Sequence, residues 1–574
     1  MEQQKENHNK VTVLKLPDPP EKKLLRELFS MTGRDALNRI LEQSYPRHYV
    51  QSMVPVDFFW LIKKIGEDDA LPILKLASPE QWQYLLDMEL WRGDRIDPDQ
   101  ISLWLERFHR SDPKGLVAWL VNHGEALAYL YFYKNIQVEF KKWDEDDEIP
   151  EDFFTLDGSY FIRILDKEHE ELIGNILREM ARNNYEQYQA LLLGLEGLLP
   201  AEAEEGMFRM RNVRLSEEGF LPLDEALSVY AYLKADALSV APTLSERFLL
   251  GMQETDSLVP VTPLIHTQDN KLLTGAFNRL RDPHLLDRIR LEFAGLCNQI
   301  QSADGLVVSD YEDLIKICRK AAGYLSLGLE RLTAGNLPLS EKLLKQHPLL
   351  SIFRVGFGLA LELKWEAERW MKEAWFDDLG FNPDFWGEEW GSTLSGLLEK
   401  RPRFFRGNTE TENYRDFEQL SDIDYCRQTL RHLIALDHIL KSLTSTYPLS
   451  PTMVQDPLST FHPLIFTFWA RKRLILQPGF APLFPEQMRG FFEKIRGRAE
   501  RPPYRMTRFK DIFIDDILSV VSDLDRGEES QFVDTLSSLW SLFVDEYAWV
   551  PEEELDEKFT RFLLVVSPED NVIH

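Results

Sequence analysis

Apolar residues recur along most of the chain at the three- and four-residue spacing of a helix face, and polar residues mark where the helices begin. In "DPDQISLWLERF", Asp97 stands as N-cap and Pro98 at the first helical position, and Ile101, Trp104, Leu105 and Phe108 follow as one stripe. "SPEQWQYLLDMEL" repeats the device: Ser78 caps, Pro79 follows, and Gln81 completes a capping box ahead of Trp82, Leu85 and Leu86. The same spacing in "LDEALSVYAYL" predicts a stripe of Leu223, Ala226, Leu227 and Tyr230. Short helices joined by short loops predict stacked or bundled α architecture.

Period-two alternation is confined to one region. "NIQVEF" alternates Ile136, Val138 and Phe140, and "FFTLDGSYFIRIL" sets Asp157-Gly158 between two β-rich flanks. That pair signals a tight hairpin with positive φ at both turn residues, so a β-hairpin insert is expected at 135–165. Around it the pattern divides the chain into a flexible tail (1–23), a repeat-like helical domain (24–134), a second helical unit (166–258) and a central helical domain (271–443). The Pro/Ser/Thr-rich stretch 444–460 reads as a linker to a C-terminal helical domain (461–574), and 259–270 as a weaker boundary. "WRGDRI" (91–96) and "MRNVRL" (210–215) share a pattern of paired arginines between apolar residues, the signature of an internal duplication if their surroundings repeat. The expected fold is mainly α: a multi-domain helical-repeat, superhelical architecture with a small β-hairpin insert.

Composition sets the scale. With 574 residues, 44% apolar and 12% aromatic, the chain can fill about three or four cores. The longest apolar stretch, 115–133, carries His123 and Glu125, so no membrane insertion is expected. The opening "MEQQKENHNK" leads into no apolar signal core, and three cysteines without a C-x-x-C pair suit a reducing compartment. A cytoplasmic location is the expectation. A net charge of −29 opposes nucleic-acid binding, which draws on Lys and Arg.

Motifs for chemistry are scarce. The sequence contains no P-loop, no G-x-S-x-G elbow and no H-E-x-x-H, and no cofactor is implied. "RVGFGLAL" reads as helix-packing glycine, and Cys297, Cys318 and Cys426 as buried thiols. His432 and His438, six residues apart, point in different directions on a helix and are poor co-ligands. Two acidic clusters open alternatives. "WDEDDEIPED" (143–152) would suit a hard cation such as Mg²⁺, although it lacks EF-hand spacing. "FDDLGFNPDFWGEEWG" (376–391) gathers Asp377, Asp378, Asp384, Glu388 and Glu389, from which an enzyme could draw an acid–base pair.

Positive charge is concentrated late in the chain. Between Trp469 and Lys510 there are eleven Lys/Arg and three Asp/Glu, a net +8, whereas Asp511 to His574 is net −14. Within the basic run, Arg496, Arg498, Arg501 and Arg505 are candidate anion- or partner-binding residues, interleaved with aromatic side chains. Pairing with the acidic tail is the favoured reading, an external anionic partner the alternative. Arg209, Arg211 and Arg214 form a smaller candidate site for a carboxylate or phosphate, with Glu204, Glu205, Glu217 and Glu218 near enough in sequence to neutralise them.

The segments 50–91, 208–230 and "FRVGFGLALELKWEAERW" (353–370) together resemble a family of bacterial cytoplasmic proteins defined only as a domain of unknown function, which implies no activity. A shorter stretch, "EDDALPILKLASPEQWQYLLDME", is similar to the helical repeat of the cytosolic N-terminal domain of magnesium transporters, which implies a superhelical α domain. The expectation is a non-catalytic scaffold whose helical surfaces meet a protein partner. The alternatives are a Mg²⁺-responsive regulator and an enzyme with a carboxylate site.

Overall fold

In a computed structural model of the chain, the described residues are 20–140, 152–240, 260–265, 271–306, 308, 310–407, 412–456, 459–496, 502–521, 529–551, 554–555 and 560–566. They are mainly α, with only small antiparallel strand pairs. The chain divides into two units, Met1–Phe357 and Gly358–His574.

In the first unit, α1 (Pro55–Ile65) is buried almost all round, whereas α2 (Pro79–Glu89) starts at the expected capping box. Ser78 Oγ accepts from Gln81 N at 3.3 Å, and Gln81 Oε1 accepts from Ser78 N at 2.9 Å. Gln81 also ties the helix to the chain before α1, donating through Nε2 to the Val50 and Met53 carbonyls at 2.7 and 2.9 Å. A short hairpin follows, β1 (Trp91–Arg92) with β2 (Arg95–Ile96), and then α3 (Pro98–Ser111). Asp97 caps α3 through Asp99 N, and Ile101, Trp104, Leu105 and Phe108 are all buried. Trp82 of α2 stacks on Phe108 with centroids 4.1 Å apart, so the two sequence-predicted faces meet. α4 (Pro113–Asn122) and α5 (Glu125–Asn135) continue the helical layer.

The insert is a three-stranded antiparallel sheet, β3 (Ile136–Phe140), β4 (Phe154–Thr155) and β5 (Tyr160–Ile164), in the order β3-β5-β4. Its turn differs from the expected two-residue type. Gly158 takes φ +77°, but Asp157 does not take positive φ. Asp157 Oδ1 instead accepts from Ser159 N and Tyr160 N at 2.9 and 3.1 Å, an Asx arrangement over a longer loop.

Beyond it, α6 (Pro200–Glu217) contains "MRNVRL" as continuous helix, while "WRGDRI" is the β1–β2 hairpin. The two segments therefore do not repeat one another structurally. They pack together: Phe208 lies 5.5 Å from Trp91, and Ile96 N donates to Glu204 Oε1 at 2.8 Å. The stripe expected in 223–230 is also revised. A single turn, Leu223–Ala226, tightens into 3₁₀ helix over Leu227–Tyr230, which buries Ala226 and Val229 and leaves Leu223 and Leu227 exposed.

Three long helices complete the unit's sequence: α7 (Pro283–Asp304), α8 (Tyr311–Thr333) and α9 (Leu349–Met371), within which the boundary at Phe357 falls. Gly356 of "RVGFGLAL" packs where expected, since a Cβ there would strike the Tyr324 carbonyl of α8. Cys297 and Cys318 face each other between α7 and α8 with sulfurs 3.7 Å apart, both buried. Asp57 of α1, fully interior, accepts from Val261 N at 3.0 Å and Thr262 N at 2.9 Å and so starts the buried turn Thr262–Ile265. Burial raises its pKa, and those amide bonds oppose the rise.

The second unit comprises α10 (Gly387–Leu398), a hairpin of β6 (Phe404–Phe405) and β7 (Tyr414–Arg415), α11 (Leu420–Thr446), α12 (Phe461–Arg473), α13 (Pro485–Arg496) and α14 (Glu529–Tyr547). Its core is largely aromatic: Phe466 stacks against Phe513 and Phe543 at 5.0 and 4.5 Å, and Trp469 meets Trp540 edge-on at 5.4 Å. Asp437 of α11 repeats the device of Asp57, accepting from Trp375 N and Phe376 N at 3.0 and 3.1 Å. Within 444–460, Leu449, Met453 and Val454 pack against this core.

Candidate functional site

The basic run is not one exposed surface. Arg496, at the end of α13, is buried between Phe492 and Tyr504, with its guanidinium 4.8 and 4.4 Å from their ring centroids. Its Nη2 donates to the Tyr547 carbonyl at 3.2 Å. Arg505 is exposed, and Arg498 and Arg501 lie outside the described residues. Further back, Lys472 and Arg473 reach Asp516, at the start of the acidic tail, at 3.0 and 3.3 Å, and Trp469 Nε1 donates to the same carboxylate at 3.1 Å. The tail also adds backbone pairing to this part of the unit, Leu483 N to Leu564 O at 2.8 Å and Val566 N to Leu483 O at 2.9 Å.

The second arginine group diverges. Arg209 is exposed and pairs with Glu205 one turn back on α6. Arg211 Nε donates to the Asp87 carbonyl at 2.7 Å and its guanidinium lies 5.6 Å from the Trp91 ring. Arg214 grips the Asp87 carboxylate with two bonds of 2.7 and 2.8 Å. Two of these three arginines thus hold α6 to the C-terminal turn of α2.

Beside that clasp, a groove of about 460 Å³ opens between α2, α4, α5 and α6. Its walls include Leu86, Trp91, Trp119, Leu127, Met207 and Met210, and its polar groups are Gln83, Asp87, His123, Glu202 and Arg214. Trp119 is fixed by its Nε1 donating to the Pro79 carbonyl at 3.2 Å. Gly124 has to be glycine for the indole to lie there, because a Cβ would collide with the ring. Across α6 a second cavity of about 700 Å³ is lined by Phe208, Arg211 and Leu215 together with Leu223, Gln301 and Val308. α6 consequently has a hollow on each flank, and Leu215 is its one buried residue, with Met210 and Val213 each 57% exposed.

The acidic alternatives fare differently. Glu388 and Glu389 share a hollow of about 460 Å³ with Phe404, Phe405, Arg406 and Tyr425, whose hydroxyl donates to Glu389 Oε1 at 2.6 Å. Burial raises the Tyr425 pKa, which keeps it a donor. Asp377, Asp378 and Asp384 are exposed outside that hollow. The run 143–152 lies outside the described residues except for Asp152, and among the described residues no three His, Cys, Asp or Glu side chains gather as metal ligands. His432 and His438 join α11 to α14: His432 Nδ1 is 2.9 Å from Thr535 Oγ1, and the His438 ring is 5.4 Å from Phe532. Among the described residues no helix is long and apolar enough to cross a membrane.

The groove was not visible in the sequence as a site. Trp119, Glu202 and Met207 belong to no motif, Met210 entered only as the first residue of "MRNVRL", and the available signal was the scatter of apolar residues around α6 where a single face was to be expected.

The fold defines a mainly α protein, and beside α6 it carries an open groove walled largely by apolar side chains. The chain belongs to the Family of unknown function (DUF6178), matching it over residues 18–566. No curated protein and no solved structure matches it, so the likeness to magnesium-transporter helices gains no further support.

Proposed function

We propose that this protein is a non-catalytic interaction protein, and that the groove beside α6 seats an apolar segment of a protein partner. The observation that carries this reading is the exposure of Met210, 57%, in a groove otherwise walled by Trp91, Trp119 and Met207. Tryptophan and methionine at an open groove suit helix-in-groove recognition, because thioethers adapt to varied apolar side chains while indoles give fixed walls. Buried free thiols at Cys297, Cys318 and Cys426 support a cytoplasmic setting.

A photo-crosslinking residue at Met207 tests the proposal. Irradiation in cells should give one protein adduct of discrete mass, and Ala203→Trp, which fills the groove, should abolish it. Failure to form a discrete adduct, or an adduct indifferent to Ala203→Trp, would count against the groove as a partner site.

A further inference from the structure

We infer that the segment seated in the groove is basic as well as apolar: an amphipathic helix whose apolar side chains enter between the two tryptophans and whose Lys or Arg meets Glu202. The inference rests on the proposed function and names the chemistry of its partner.

The charges at the groove lead to this class. Arg214 is the one arginine in the lining, and both Asp87 oxygens hold it, at 2.7 and 2.8 Å. Gln83 Nε2 adds a third bond to Asp87 at 3.1 Å. The Arg214–Asp87 pair is neutral to an incoming group, so the lining itself offers an acidic segment no uncompensated guanidinium, and Arg211, bonded to the Asp87 carbonyl, lines the hollow on the other flank of α6. Glu202, exposed in the first turn of α6, is a lining carboxylate that meets no described cation.

The walls accept a cation too. Trp91 already carries the Arg211 guanidinium 5.6 Å from its ring centre, so this indole is used for cation–π contact within the chain, and Trp119 offers the groove another. At longer range a net charge of −29 draws basic partners and repels acidic ones.

The test uses the full-length protein and two fluorescently labelled model helices of equal length, one of Leu and Lys and one of Leu and Glu, followed by anisotropy at low and moderate salt. The Leu/Lys helix should bind more tightly, and Glu202→Gln should weaken it about two- to fivefold, the range of one exposed ion pair. Glu217→Gln, at the far end of α6, removes the same charge and should change little. Ala203→Trp should abolish binding; if circular dichroism shows that variant misfolded, Met207→Asn, which makes the wall polar without adding charge, replaces it. Equal or tighter binding of the Leu/Glu helix would overturn the basic class and leave the groove standing. An equal loss in Glu202→Gln and Glu217→Gln would overturn the role of Glu202. Binding of neither helix, or binding insensitive to the groove variants, would overturn the interaction reading and this inference together.

Discussion

Arg214 closes on Asp87 across 127 residues of chain, with its Nε and Nη2 at 2.7 and 2.8 Å from the two carboxylate oxygens of a residue only 3% exposed. A planar fork on a planar acceptor fixes orientation as well as distance, so the bond sets how α6 lies against α2. Asp87→Asn is expected to cost about 1–3 kcal/mol in urea unfolding. Arg214→Lys should lose much of the same, because an ammonium cannot span both oxygens. Wild-type stability in both variants would show that α6 is held by something else.

Arg496 and Arg505 should behave oppositely. Arg496 is interior and ties α13 to the end of α14, whereas Arg505 is exposed. Arg496→Gln should destabilise by about 1–3 kcal/mol, and Arg505→Gln should stay within about 0.5 kcal/mol. Thermal melts of the two variants compare them directly, and equal melting temperatures would refute the contrast.

At the tip of the β insert, Gly158 holds φ +77°. A β-branched residue tolerates that region poorly, so Gly158→Val is expected to cost about 1–3 kcal/mol. An unaltered melting temperature would mean that the loop relaxes to another conformation.

His462 sets an acid limit on the second unit. Burial pushes its imidazole down from 6.5 to about 3, and Arg561 adds to the shift. The folded state therefore binds fewer protons than the unfolded state between these values, and stability falls as pH drops below 6.5. The loss approaches about 1.4 kcal/mol per pH unit. His462→Phe removes this contribution while the carboxylates common to both proteins continue to titrate. The stability of the variant relative to wild type should rise by that slope between pH 6 and 5, measured by urea unfolding. Parallel pH profiles would show that His462 takes up its proton in the folded state.

Local signals were legible in the sequence, and long-range ones were not. Ser78, Gln81 and Asp97 act within one helical turn of themselves, so their caps could be read directly, and Asp157-Gly158 marked its turn although not the turn's length. The stripe at 223–230 was misread because periodicity assumes α geometry, and 3₁₀ winding brings Val229 inward in place of Leu227. Asp57 and Asp437 look like ordinary surface carboxylates in sequence. Each is buried because two amides from a distant turn point at it, and no spacing rule announces that. The groove is hidden for the same reason: Trp119 and Met207 meet only after the chain has passed through the whole β insert.

The placement of α6 has a mechanical consequence. Its attachments to its neighbours include Arg211 and Arg214 on Asp87 and Glu204 on Ile96, and a hollow lies along either flank. A rod seated between two hollows is a partition. One helix thus supplies a wall to both, Met207 to the first and Phe208 to the second.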